Sequence, residues 1–139
     1  MMLPFEFHQK TRVFFGSGVI KKFENLKLEF RKPLLVADCG LKEIGHVDYV
    51  IKLLGTVNIK PVMFHDFDIN PDTKMVERGR KFAAPLGVDS IIGLGGGSSL
   101  DCAQAINFLL TNGGTSAKKK WTASFNPIQF GSPEALELY

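Results

Sequence analysis

From residue 33 onward the chain repeats one motif three times: a short apolar run, then a stretch with helical spacing. Leu34-Leu35-Val36-Ala37 ends at Asp38, and a continuous apolar run of this length fits a strand buried on both faces. Leu41 to Leu54 follows, with Ile44, Val47, Ile51 and Leu54 spaced for one face of a helix. Pro61 to Phe64 is the second run, and Asn70-Pro71 predicts a helix opening with the proline in its first turn. Met75, Val76, Gly79, Phe82, Ala83 and Leu86 share one face of it, and Pro85 and Gly87 mark its end. The third run, Ile91 to Leu94, passes through Gly95, Gly96 and Gly97 into a helix expected from Ser98 to Thr111. That helix is expected to bury Ala103, Ile106 and Leu110 and to stop at Asn112-Gly113-Gly114.

Three β-α units in series predict an α/β fold, a Rossmann-like parallel sheet with flanking helices and right-handed crossovers. Ligands of such sheets lie beyond the carboxyl ends of the strands, so Asp38, Asp66 and the glycine turn should gather along one edge. Ahead of the units, Phe5 and Phe7 alternate with polar residues and Val13 to Phe15 is a second extended run, which predicts an N-terminal β-hairpin. Ser17-Gly18 then opens a helix containing Val19, Ile20, Phe23 and Leu26. Beyond Gly114 the pattern changes, and only Glu134 to Leu138 reads as a helical turn or two. The chain therefore divides into an α/β domain over residues 1–114 and a tail over 115–139, with no internal repeat.

Composition narrows the partners. At 139 residues with 45% hydrophobic content the length fits one soluble domain. No stretch approaches the roughly 20 apolar residues of a membrane span, and the N-terminus lacks a secretory pattern. Cys39 and Cys102 are far apart and without metal-ligand spacing, which fits a reduced, cytoplasmic compartment. The formal charge of +3 comes largely from Lys118, Lys119 and Lys120, so the body is about neutral and no nucleic-acid partner is expected.

The glycine run carries the candidate chemistry. Bare glycines let backbone N–H groups approach a phosphate, and a helix N-terminus adds unpaired N–H groups and the positive end of a dipole. Ser98 and Asp101 also fit a capping box. The common Gly-x-Gly-x-x-Gly dinucleotide pattern does not fit: these glycines follow the third strand, and about 20 residues onward stands the lysine triplet where an acid is needed. Asp38, at the first strand's end, serves either as a ribose acceptor or as a helix cap. His8, His46 and His65 form no pair at helical metal-ligand spacing, and strand alternation sends the neighbours in His65-Asp66-Phe67-Asp68 to opposite faces. Ser98 and Ser99 lack the Gly-x-Ser-x-Gly setting of an activated serine.

Gly16-Ser17-Gly18, Leu35-Val36-Ala37-Asp38, Asp68-Ile69-Asn70-Pro71-Asp72-Thr73 and Gly95-Gly96-Gly97-Ser98-Ser99-Leu100-Asp101, followed by Asn112-Gly113-Gly114, stand in the order and spacing of the iron-containing (group III) alcohol dehydrogenases. The chain resembles their N-terminal nucleotide-binding domain over residues 1–114. The resemblance implies a dinucleotide whose pyrophosphate sits on Gly95, Gly96, Gly97 and Ser98, with Asp101 just beyond. It also implies that Asp38 contacts the adenosine ribose and favours NAD over NADP. Gln104 departs from the lysine usual in the family's helix. The family's all-helical domain, which holds iron (Fe2+) or zinc (Zn2+) and the small alcohol, has no counterpart in the sequence. The expectation is thus a truncated or frame-shifted dehydrogenase, catalytically incompetent alone, with a homodimer contact through its N-terminal strand. A non-catalytic nucleotide-binding or oligomerising remnant, and the N-terminal half of a glycerol dehydrogenase or dehydroquinate synthase-like enzyme, are the alternatives.

Overall fold

The computed structural model describes residues 12–25, 27–67, 71–112 and 128–130. Its elements run β1 (Arg12–Phe14), a 3₁₀ segment (Val19–Asn25), β2 (Pro33–Ala37), α1 (Cys39–Glu43), α2 (His46–Thr56), β3 (Val62–Phe64), α3 (Thr73–Ala83), a 3₁₀ turn (Ala84–Leu86), β4 (Ser90–Leu94), α4 (Gly97–Asn112) and β5 (Ile128–Phe130). Two compact units divide the chain, one comprising residues 21–122 and the other residues 1–20 with 123–139.

The larger unit is a three-stranded parallel sheet in the order β3-β2-β4. The three strands are those the apolar runs predict. All five residues of β2 are buried, because this strand lies between its two neighbours and is covered on both faces. Its register pairs Val36 with Phe64 and Ala37 with Leu94, so the three strands end level.

At the opposite ends Asp89 ties two strands together. Its carboxylate accepts from the backbone N–H of Arg31 at 2.7 Å and of Lys32 at 3.1 Å, and its own N–H donates to Lys32 O. Pro33, the next residue, has no N–H to give, so the clamp satisfies the last donors before β2. Burial acts to raise this carboxyl's pKa, but the donors of Arg31, Ser90 and Lys32 together hold it below the ordinary 3.8.

Helix packing follows the expected pattern with three corrections. The stretch Leu41–Leu54 is two helices, because Gly45 adopts φ +85° and ends α1. The break resets the phase: Val47, Val50, Leu53 and Leu54 are buried, whereas Ile44 and Ile51 are exposed. The third helix begins at Thr73, not at the proline. The Asp72 carboxylate accepts from Met75 N at 2.8 Å as its N-cap, leaving Pro71 outside the helix. In α4, Ala103 and Ile106 are buried as expected, but Leu110 is only half-buried and Cys102, Phe108 and Leu109 complete the core, since α4 packs on both the sheet and α3. Gly79 is where α3 and α4 meet. A Cβ there would overlap the end of Ile106 and lie 3.0 Å from Phe64 Cε1.

In the smaller unit β1 pairs in parallel with β5, Arg12 opposite Ile128 and Phe14 opposite Phe130. The pattern of residues did not reveal β5, because Ile-Gln-Phe between Pro127 and Gly131 is too short to show a period. Phe5 and Phe7 of the expected hairpin, and Glu134 to Leu138, lie outside the described residues.

Candidate functional site: a glycine turn at the carboxyl edge

Parallel strands that end level place Asp38, His65 with Asp66, and Gly95 at one edge of the sheet, as the alternation of elements predicts. Gly95 leaves β4 at φ +131°, a conformation that a side chain would strain. Gly95, Gly96 and Gly97 are exposed, and a Cβ at Gly96 or Gly97 would meet nothing within 4 Å. The turn thus presents bare backbone to solvent at the N-terminus of a 16-residue helix.

The capping box is corrected. Helix α4 begins at Gly97, and Gly96 O accepts from Leu100 N at 3.2 Å. Ser98 is therefore inside the first turn and Asp101 is exposed just past it, two residues too far along for the box. The glycines bend the chain so tightly that helical geometry starts before the serine.

The structure also singles out a residue absent from the predicted site. Ser99 is 1% exposed, and its Oγ is buried with no hydrogen-bond partner among the described residues. A Cβ at Gly95 would lie 2.7 Å from that oxygen and 2.8 Å from Leu41 Cδ1, so Ser99, Gly95 and Leu41 pack together without room for another atom. The signal was present in the sequence as the second serine after the glycines; only burial distinguishes it from the first.

Leu41 connects this turn to Asp38. Asp38 Oδ1 accepts from Leu41 N at 2.9 Å and caps α1. The capping reading is therefore correct, but it occupies one oxygen. A carboxylate offers about four lone-pair sites, so acceptor capacity remains. Next along the edge, Cys39 Sγ lies 3.6 Å from His65 Nδ1 and donates to His65 O at 3.4 Å. Asp66 pairs with Arg78 at 2.8 Å, both side chains well exposed. No group of three His, Cys, Asp or Glu among the described residues is arranged to hold a metal ion. No helix among them is long and apolar enough to cross a membrane. A separate apolar cleft of about 170 Å³ lies between α3 and α4, lined by Pro71, Val76, Ala105, Phe108 and Leu109, and includes none of the glycine-turn residues.

A parallel β-α sheet whose third strand hands over to its helix through three bare glycines has known counterparts. The family model of the iron-containing alcohol dehydrogenases matches residues 10–132, and the chain belongs to that family. The match continues past Gly114. Among curated relatives, the chain is 35% identical over 107 residues to NADH-dependent butanol dehydrogenase B of Clostridium acetobutylicum, covering 76% of this chain and 27% of the relative. It is 31% identical over 141 residues to the long-chain primary alcohol dehydrogenase AdhA of Thermoanaerobacter ethanolicus, covering 96% of this chain and 35% of that protein. The crystal structure of an archaeal halo-thermophilic Red Sea brine pool alcohol dehydrogenase superposes with a TM-score of 0.73 at 28% identity, over 83% of this chain and 29% of that one. The chain thus spans about a quarter to a third of the length of these relatives.

Proposed function

We propose that this chain is the dinucleotide-holding segment of an NAD-dependent alcohol dehydrogenase of the iron-containing family. The observation that carries the reading is the exposed, side-chain-free turn Gly95–Gly97 opening α4, with a buried hydroxyl that lacks a partner among the described residues directly behind it. Unpaired N–H groups at a helix N-terminus and the dipole favour a diphosphate there, and no side chain stands in its way. Ser98, in the first turn of α4, and Asp101 just beyond border the same seat.

Asp38 takes the adenosine ribose. Its capping bond to Leu41 N fixes the carboxylate at the end of β2, and the remaining lone pairs accept from the ribose hydroxyls. The same negative charge repels a 2′-phosphate, which favours NAD over NADP. When held on Gly95–Gly97 and Asp38, the dinucleotide would supply a nicotinamide able to take up hydride from an alcohol carbon. Residues of this chain bind and orient the cofactor. In the family reading, polarising the alcohol oxygen falls to a metal in a helical domain, and none of the residues at the glycine turn is assigned to that task. A small alcohol is the substrate class of the whole enzyme. The chain alone is expected to turn over neither ethanol nor butanol.

Calorimetry with NAD and NADP side by side tests the reading. Binding of NAD in preference to NADP is expected. Asp38→Asn retains a capping oxygen and should reduce that preference about tenfold or more by removing the repelling charge. Equal heats for the two nucleotides would remove the ribose role, and no heat from either would remove the cofactor assignment.

A further inference from the structure

An unpartnered hydroxyl in a protein interior is a cost that packing alone gives no reason to keep. A serine buried in this way loses its water bonds and gains nothing, a desolvation penalty that a hydrogen-bonded group does not carry. Ser99 carries that cost at one place in the described fold, behind the glycine turn. Two features of its position show where a partner would come from. First, Ser99 is the third residue of α4, and Cα–Cβ bonds in a helix tilt toward the N-terminus, so its side chain leans back over the helix start. Secondly, its Oγ lies against the bare Cα of Gly95, and Gly95 is exposed on its outer side. One glycine backbone separates the hydroxyl from the surface of the cradle.

The residues four and three positions before it are Gly95 and Gly96, so no side chain of the preceding turn stands between Ser99 and the mouth of the turn.

We propose that Ser99 is a cofactor-binding residue of this site: its hydroxyl donates a hydrogen bond to a phosphate oxygen of the dinucleotide seated on Gly95–Gly97. The inference rests on the nucleotide reading above and adds to it a side-chain donor in a cradle otherwise made of backbone. The hydroxyl left unsatisfied in the ligand-free chain is then a donor held in reserve. Its bond to an anionic oxygen is charge-assisted and stronger than a neutral one.

The test is calorimetry and thermal melting of the full 139-residue chain, with NAD, inorganic pyrophosphate and adenosine as probes. Ser99→Ala is expected to leave the melting temperature of the ligand-free chain unchanged or raised, since it removes an unsatisfied buried group. It should weaken NAD and pyrophosphate about tenfold, the loss of one charge-assisted bond, and leave adenosine unaffected. Ser99→Cys keeps the side chain's shape with a weak donor, and should behave like the alanine variant if packing is not at issue. Unchanged NAD and pyrophosphate affinity in both variants would overturn the role of Ser99 while leaving the cofactor reading intact. A lowered melting temperature for ligand-free Ser99→Ala would also overturn it, because the hydroxyl would then have a partner inside the fold. Absence of NAD and pyrophosphate binding by the unsubstituted chain would overturn both.

Discussion

The two ends of the central sheet are built on opposite terms. At the amino end each strand start is tied down: Asp89 accepts from Arg31 and Lys32, Lys60 N donates to Arg31 O, and the Lys32 ammonium reaches Leu86 O. At the carboxyl end three consecutive glycines lie exposed and a buried serine hydroxyl has no partner among the described residues. Closed polar accounting at one end and open accounting at the other separates the part of the fold that holds itself together from the part that waits for something. The contrast also separates two uses of glycine. Gly79 is buried because helices α3 and α4 would collide with any side chain there, whereas Gly96 and Gly97 have empty space around them. A missing side chain in open space needs a reason outside the chain itself.

The comparison can be broken most forcefully at Gly96. Gly96→Val has room for its side chain on the protein and should change stability by about 1 kcal/mol or less, yet it covers the bare backbone. Loss of about two charge-assisted bonds would lower NAD affinity about a hundredfold or more, measurable by calorimetry. Retained affinity would mean that nothing rests on the turn.

The amino end should respond in the reverse sense. Asp89→Ala hands two exposed backbone N–H groups over to water and should cost about 1 kcal/mol in denaturant melts, with NAD affinity unchanged. The pH dependence follows from the direction of the shift. Because the folded carboxyl titrates below its ordinary 3.8, its contribution is complete above that pH and is lost as the pH falls through the lowered folded value. The variant should therefore show a flatter loss of stability through that acid range than the unsubstituted chain.

The two cysteines sharpen the contrast further. Cys39, at the open edge, is exposed, whereas Cys102 is fully buried in α4 and burial pushes its thiol from 9.0 up to about 11. At pH 8 that shift alone leaves Cys102 about a hundredfold less thiolate, before accessibility is considered. Thiol labelling of the native chain should thus give one fast and one slow equivalent. Mass spectrometry should find the fast label on Cys39, and saturating NAD should slow it if Asp38, the neighbouring residue, is engaged.

How much of this was legible in the residues themselves depended on range. Strands β2, β3 and β4 are local apolar runs, and the level edge follows from their parallel order, so both were readable. Gly45 stood in plain view, but whether a glycine bends or continues a helix is settled by the packing of Val47 and Val50 afterwards, and the single-helix reading failed there. β5 depends on pairing with a strand more than a hundred residues earlier, which no local pattern reports. At the site the glycines and Asp38 were recognisable by type. The distinction between Ser98 and Ser99 was not, because it turns on where the helix begins, and that in turn is set by the conformation of Gly95.

The contact at Gly79 has a mechanical consequence. Ile106 sits nine residues along α4 from Gly97, about 14 Å by helical rise, and is wedged against α3 with no slack. Helix α4 is thereby a lever pinned near its middle, and a single methyl group added to α3 would tip its far end. Mutations that never touch a nucleotide could detune its seat in this way.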